Sequence, residues 1–144
     1  PISSLTGREN AKFISRIFVE EEAIQEKLHF IEDFAEIGPA FNQPVNTYSS
    51  GMKSRLLFGM SLAFDFDVYI SDEVTSAGDG KFREKAKKAF NEIAGKAGLI
   101  MVSHSISTLR SFCQAGIWLH QGRAIWFDRI EDAWAAYQSS ENFA

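Results

Sequence analysis

Little in this sequence suits an oxidising compartment or a nucleic-acid partner. Cys113 is the one cysteine among 144 residues and cannot close an internal disulfide, which fits a reducing environment. Fifteen Lys and Arg stand against 19 Asp and Glu, a formal charge of −4, whereas nucleic-acid binders usually carry a basic face. Three His and a single Cys offer no zinc-like spacing. No apolar run approaches the about 18 residues that span a bilayer, and no signal-peptide pattern opens the chain. The phosphate-cradling pattern Gly-x-x-x-x-Gly-Lys-Ser/Thr is also missing: Gly80-Lys81 and Gly95-Lys96 lack both the earlier Gly and the following hydroxyl.

What is present suits one globular domain of this length, with an aromatic share raised by thirteen Phe. Pro1-Ile2-Ser3-Ser4-Leu5 reads as a loop cut from a longer chain. Thr6-Gly7-Arg8-Glu9 fits a capping box and predicts a helix, with Phe13, Ile14, Ile17 and Phe18 as its apolar face. Glu20-Glu21-Glu22 favours a second helix start, Ala23, Leu28, Ile31, Phe34 and Ala35 mark its buried stripe, and Gly38-Pro39 is expected to end it. Residues 41–47 read as a connecting loop.

A third helix follows Gly51 through Leu56, Met60, Ala63 and Phe64. Val68 to Ser71 and Leu99 to Val102 are continuous apolar runs, as expected of parallel strands covered on both faces. Between them residues 80–96 predict a helix with Phe82, Ala86, Ala89, Phe90 and Ile93 on one side and Lys81, Lys85, Lys88 and Lys96 largely off it, in solvent. Ile106 to about Gln114 forms another helix, and Ile117–His120, Gln121-Gly122 and Arg123–Phe127 read as a hairpin. A last helix covers about Ile130 to Gln138. Strands alternating with helices after a helical lobe make an α/β protein with part of a parallel sheet.

Three stretches carry chemistry. Tyr48-Ser49-Ser50-Gly51-Met52 places a Ser- and Gly-rich turn at a helix N-terminus, where free N–H groups and the positive dipole end suit a phosphate oxygen. The strand Val68-Tyr69-Ile70-Ser71 closes on Asp72-Glu73, a carboxylate pair suited to Mg²⁺ and the water beside it, or to capping the turn that follows. Val102-Ser103-His104 ends a second strand on an imidazole. Adjacent Ser103 and His104 point to opposite faces, which argues against a hydrolase triad.

In this order the stretches resemble the rear portion of the nucleotide-binding domain of ABC transporters, a P-loop ATPase fold with a helical subdomain. Residues 48–52 resemble a variant of the LSGGQ signature, Val68 to Glu73 the Walker B strand with its catalytic glutamate, Ser76-Ala77-Gly78-Asp79 the D-loop, and His104 the switch histidine. Ser50 and Met52 replace the usual Gly and Gln, Val74 stands where Pro is common, and Gly78 replaces the usual Leu. Together with Lys53-Ser54-Arg55-Leu56, these choices resemble the ATPases of capsular polysaccharide export, with O-antigen and teichoic acid exporters as relatives.

The resemblance implies a single ABC ATPase domain fragment, with a helical subdomain over residues 5–64 and the C-terminal part of the catalytic core over 65–144, the Walker A part being absent. It implies ATP and Mg²⁺ as cofactors of the intact domain: Asp72 holding Mg²⁺ through water, Glu73 as general base, His104 at the γ-phosphate, and residues 48–52 contacting the ATP of a partner copy. The expected partners are a second ATPase subunit and a membrane-spanning permease, docked through residues 5–41, on the cytoplasmic face of a bacterial inner membrane. No nucleic acid is expected, and this stretch alone is expected to be inactive. A non-catalytic interaction domain of the same fold is the alternative.

Overall fold

Thr6 starts the first helix as its sequence predicts. In the computed structural model, which describes residues 1–72 and 80–141, the Thr6 hydroxyl accepts the Glu9 N–H at 3.0 Å and the Glu9 carboxylate accepts the Thr6 N–H at 2.8 Å. This capping box opens α1, Gly7–Phe18. The buried face of α1 differs from the expected one. Gly7, Asn10, Ala11 and Ser15 are buried, while Phe13, Ile17 and Phe18 are exposed. Small residues at positions 7, 11 and 15 form one row at i, i+4 spacing, and such a row admits a neighbour closer than aromatic side chains would.

The described residues form two compact units. The first holds residues 1–66 together with residues 80–90 of a later helix. A 3₁₀ turn at Glu21–Ala23 precedes α2, Ile24–Ala35, which buries Ile24, Leu28, Ile31, Phe34 and Ala35 as its periodicity predicts. Termination departs from expectation. Glu36, with φ 49° and ψ 42°, turns the chain in the left-handed region two residues before Gly38. Gly38-Pro39 instead opens a 3₁₀ turn, Gly38–Asn42, and another follows at Val45–Thr47. Then comes α3, Ser50–Leu62.

Cations explain the early stop of α2. Lys85 Nζ donates to the carbonyls of Asp33 and Phe34 at 3.2 and 3.1 Å and to the Glu36 carboxylate at 2.7 Å. Arg55 donates to the Glu36 carbonyl at 3.3 Å. The last carbonyls of α2, which the helix itself cannot satisfy, are thereby paired with charged donors near the negative dipole end. Lys85 comes from α4, Gly80–Ala94, where it is held rather than solvated, while Lys81 and Lys88 are exposed as expected. The main core of this unit joins Ala11, Ile24, Leu28, Ile31, Phe41, Val45, Tyr48, Leu56, Ala63 and Phe64, and a smaller cluster joins Phe34, Phe82 and Ala86.

The second unit holds residues 67–72 and 91–141 of the described chain. Strands β1, Val68–Asp72, and β2, Gly98–Val102, pair in parallel from Val68 opposite Gly98 to Asp72 opposite Val102. Helix α5, Ile106–Phe112, leads to the antiparallel hairpin of β3, Gly116–His120, and β4, Arg123–Phe127. Gln121 and Gly122 both take positive φ, 48° and 75°, the demand of a two-residue turn whose twist matches the strands. Helix α6, Ile130–Glu141, closes the unit, with Ile130 and Ala133 set against Gly116.

One expectation for the strands is corrected. Their runs are continuously apolar, yet only one face is covered: Tyr69, Ser71, Leu99 and Met101 are partly buried, while Val68, Ile70, Ile100 and Val102 are exposed, Ile70 by 77%. Among the described residues β2 pairs with β1 alone, and the hairpin forms a sheet of its own.

Candidate functional site

In the first unit the candidate phosphate contact is the start of α3. Ser49 is its N-cap, in extended backbone at φ −63° and ψ 163°, and its hydroxyl accepts the Met52 N–H at 3.2 Å. The Ser49 carbonyl accepts the Lys53 N–H at 3.0 Å. The N–H groups of Ser50 and Gly51 precede any helical acceptor and point out of the helix end. No acidic residue lies in this first turn, and Ser49 and Ser50 are exposed, with Gly51 and Met52 half-buried. Donors and dipole thus favour an anion here.

Tyr48 differs from the four residues after it. Its side chain is 5% exposed and belongs to the main core. Its hydroxyl donates to the Ala40 carbonyl at 2.6 Å. Burial pushes the phenol above its ordinary range, against the opposing pull of the Gly7 N–H. Sequence reasoning groups Tyr48 with the ligand-contacting residues; the structure engages its side chain with protein.

In the second unit β1 and β2 end level with each other, since Asp72 pairs with Val102. Parallel strands lie about 4.8 Å apart, so Asp72 and the Ser103-His104 segment leave the sheet side by side. Asp72 is exposed. The turn after β2 is pinned by hydroxyls: Ser103 accepts the Ser105 N–H at 3.1 Å, and Ser105, N-cap of α5, accepts the Thr108 N–H at 3.3 Å. His104 stands exposed between these two serines. Glu73 and the D-loop stretch Ser76, Ala77, Gly78 and Asp79 lie outside the described residues.

Among the described residues no group of three His, Cys, Asp or Glu gathers to hold a metal. A single exposed carboxylate such as Asp72 fits Mg²⁺, which keeps several waters and takes one or two protein carboxylates with substrate phosphates. Cys113 is half-buried, and burial raises its thiol, so it has the character of an inert packing residue. No described helix is long and apolar enough to cross a membrane.

Sequence reasoning missed the two cations that close α2 and the partnership of Tyr48 with Ala40. The only signal for the latter was a glycine, Gly7, directly after the α1 cap.

No model of a known protein family matches the chain. It is 45% identical over 136 residues to a polysialic acid transport ATP-binding protein of Escherichia coli, a match that covers 94% of this chain and 62% of that protein. A capsule polysaccharide export ATP-binding protein of Neisseria meningitidis is 39% identical over 137 residues, with the same coverage of 94% and 62%. A teichoic acids export ATP-binding protein of Bacillus cereus is 39% identical over 137 residues, covering 94% of this chain and 25% of that one. The fold is that of an ATP-binding subunit of an ABC transporter, with a TM-score of 0.79 at 19% identity over 96% of this chain and 58% of the other. A dimeric ATP-binding cassette bound to ADP and Pi aligns with a TM-score of 0.66 at 24% identity, over 87% and 58%. The chain therefore spans about three-fifths of the length of the capsule relatives, 62% in both, and matches their C-terminal part.

Proposed function

We propose that this chain, whose homologues are the ABC-type ATP-binding proteins of capsule and polysaccharide export, supplies the helical subdomain and the C-terminal part of the catalytic core of such an ATPase. In this reading residues 5–64 are the subdomain and residues 65–144 the core portion. ATP would supply the phosphoryl group, and Mg²⁺ bound with it would neutralise charge on the phosphate oxygens. Asp72 would hold that metal through its waters. Glu73 accepts the proton of the attacking water. His104, exposed beyond β2, donates toward a phosphate oxygen.

Ser49 and the Ser50 and Gly51 N–H groups donate to phosphate across an isologous pair of copies, so that turnover depends on assembly. Little covalent help is needed for phosphoryl transfer, and positioning and charge carry it. A membrane-spanning subunit completes the exporter at the inner membrane, and the helical subdomain is the region that meets it.

The observation that most supports this reading is the level ending of β1 and β2, which sets Asp72 and the His104 turn on neighbouring strand ends. Teichoic acid is a second cargo class to test, because the Bacillus cereus relative matches 94% of the chain. The deciding experiment reads MgATP hydrolysis and glycan export by the complete ATPase in cells lacking their own exporter ATPase. Export of capsular polysaccharide and not of teichoic acid supports the first cargo, and no hydrolysis with an intact Walker A would leave a non-catalytic interaction domain.

A further inference from the structure

Tyr48 precedes the α3 cap and lies where three segments meet. From residue 40 to residue 48 the chain is stitched to the start of α1: the Val45 N–H donates to the Leu5 carbonyl and the Asn46 N–H to the Ser3 carbonyl, both at 2.9 Å. Thr6, the cap of α1, bridges to Pro44. Asn10 ties the residues before α1 to the helix, accepting the Ile2 N–H at 2.6 Å and donating to the Ile2 and Thr6 carbonyls at 2.9 Å. The Tyr48 hydroxyl closes the arrangement on Ala40.

Gly7 makes room for it. A Cβ at position 7 would collide with that hydroxyl and come within 3.0 Å of the Phe41 carbonyl. The two helix starts are thus fitted to each other, α1 through Gly7 and α3 through the residue before its cap.

We infer that Tyr48 is a positioning residue: its hydroxyl, seated between Ala40 and Gly7, sets where Ser49 and the Ser50 and Gly51 N–H groups present themselves to a nucleotide phosphate, and its side chain does not touch the nucleotide. This rests on the reading of Ser49 to Gly51 as a phosphate contact. Oriented donors lose much of their effect when displaced by about 1 Å, a shift that can cost about a hundredfold in rate. The pin also makes the phosphate contact follow the start of α1, so that a push on α1 reaches the cap of α3.

The test uses the complete ATPase and its variants Tyr48→Phe, Gly7→Ala, the double variant, and Ser49→Ala. Tyr48→Phe keeps shape and loses the hydroxyl. We expect MgATP binding by each separate subunit to be unchanged and kcat to fall about ten- to a hundredfold. Gly7→Ala should lower kcat as well, and adding Tyr48→Phe should restore part of that loss, because the collision is relieved. A merely structural tyrosine would lower the melting temperature with no separation of kcat from MgATP affinity and no restoration.

Turnover of Tyr48→Phe within about twofold of the parent, with Ser49→Ala impaired, overturns the pin and leaves the phosphate contact standing. Full turnover of Ser49→Ala overturns the contact itself. If Tyr48→Phe does not fold, Gly7→Ala carries the same kinetic test, and failure of both to fold assigns the pair to stability alone.

Discussion

Asp72 and Val102 stand opposite each other on the last rung of the parallel ladder between β1 and β2. Because the strands run the same way, their carboxyl ends lie at one edge of the sheet, where open α/β sheets build their sites. Asp72 is thereby brought beside the Ser103-His104 turn, 31 positions away in sequence, without any direct bond between them.

Glu73 follows Asp72 in the sequence and carries the first prediction. In the complete ATPase, Glu73→Gln should keep MgATP binding and lower turnover by about 10²–10⁴, the contribution of a general base. Phosphate release measured beside nucleotide binding checks this. Turnover within a few-fold of the parent would remove Glu73 from its role.

Ser49 caps α3 and is proposed to meet a phosphate, and one substitution separates the two. Ser49→Asp keeps an N-cap acceptor for the Met52 N–H, because Asp caps as well as Ser, but sets a negative charge where a phosphate is proposed. We expect the melting temperature to hold and MgATP-driven pairing of the subunits to fail. Sizing with MgATP in a Glu73→Gln background reads the pairing, and an unaffected dimer would leave residues 48–52 as a helix start and nothing more.

Glu36 makes stability depend on pH in a defined direction. The Lys85 hydrogen bond, helped by the charges of Lys85, Lys81 and Arg55 against slight desolvation, holds its carboxyl below the ordinary value of 4.5. A carboxyl lowered in the folded state contributes stability above its unfolded value and loses it as pH falls through the folded value. The advantage of the parent over Glu36→Gln should therefore be full at neutral pH, begin to fall near the ordinary value of 4.5 and vanish once the pH is below the lowered folded value. Both side chains are substantially exposed, so the effect is a fraction of a kcal/mol and shrinks in salt. Melting curves at several pH values, with and without added salt, would show it; an advantage that persists in acid would contradict it.

Val68, Ile70, Ile100 and Val102 place four branched apolar side chains on one exposed face. Contiguous exposed apolar surface drives association, and the chain by itself should pair with a second copy as its concentration rises. Ile70→Lys should suppress that pairing and leave the far-ultraviolet spectrum unchanged, since the side chain is 77% exposed. Light scattering across a dilution series decides the matter, and identical scattering by parent and variant would show that this face does not drive association.

Signals that live within a few residues were readable from the sequence alone. The Thr6 and Glu9 pair, the stripe of α2, the order of helices and strands, and the Gln121-Gly122 turn each rest on contacts between near neighbours, and each appears where the sequence puts it. So was the homology to ABC ATP-binding proteins, because short motifs in a fixed order survive as patterns of residue type. Tertiary structure decided what depends on partners distant in sequence. Phe13 and Ile17 are as apolar as any core residue, but the space beside α1 admits only the small row of Gly7, Ala11 and Ser15. Gly38 is a good helix stop, but donors from residues 55 and 85 reach the carbonyls at the end of α2 first. Tyr48 sits within a motif of exposed polar residues, and only the approach of Ala40 and Gly7 makes it a core residue with one hydrogen bond. Hydrophobicity tells a chain which side chains can be buried; the shape and donors of whatever arrives from elsewhere decide which ones are.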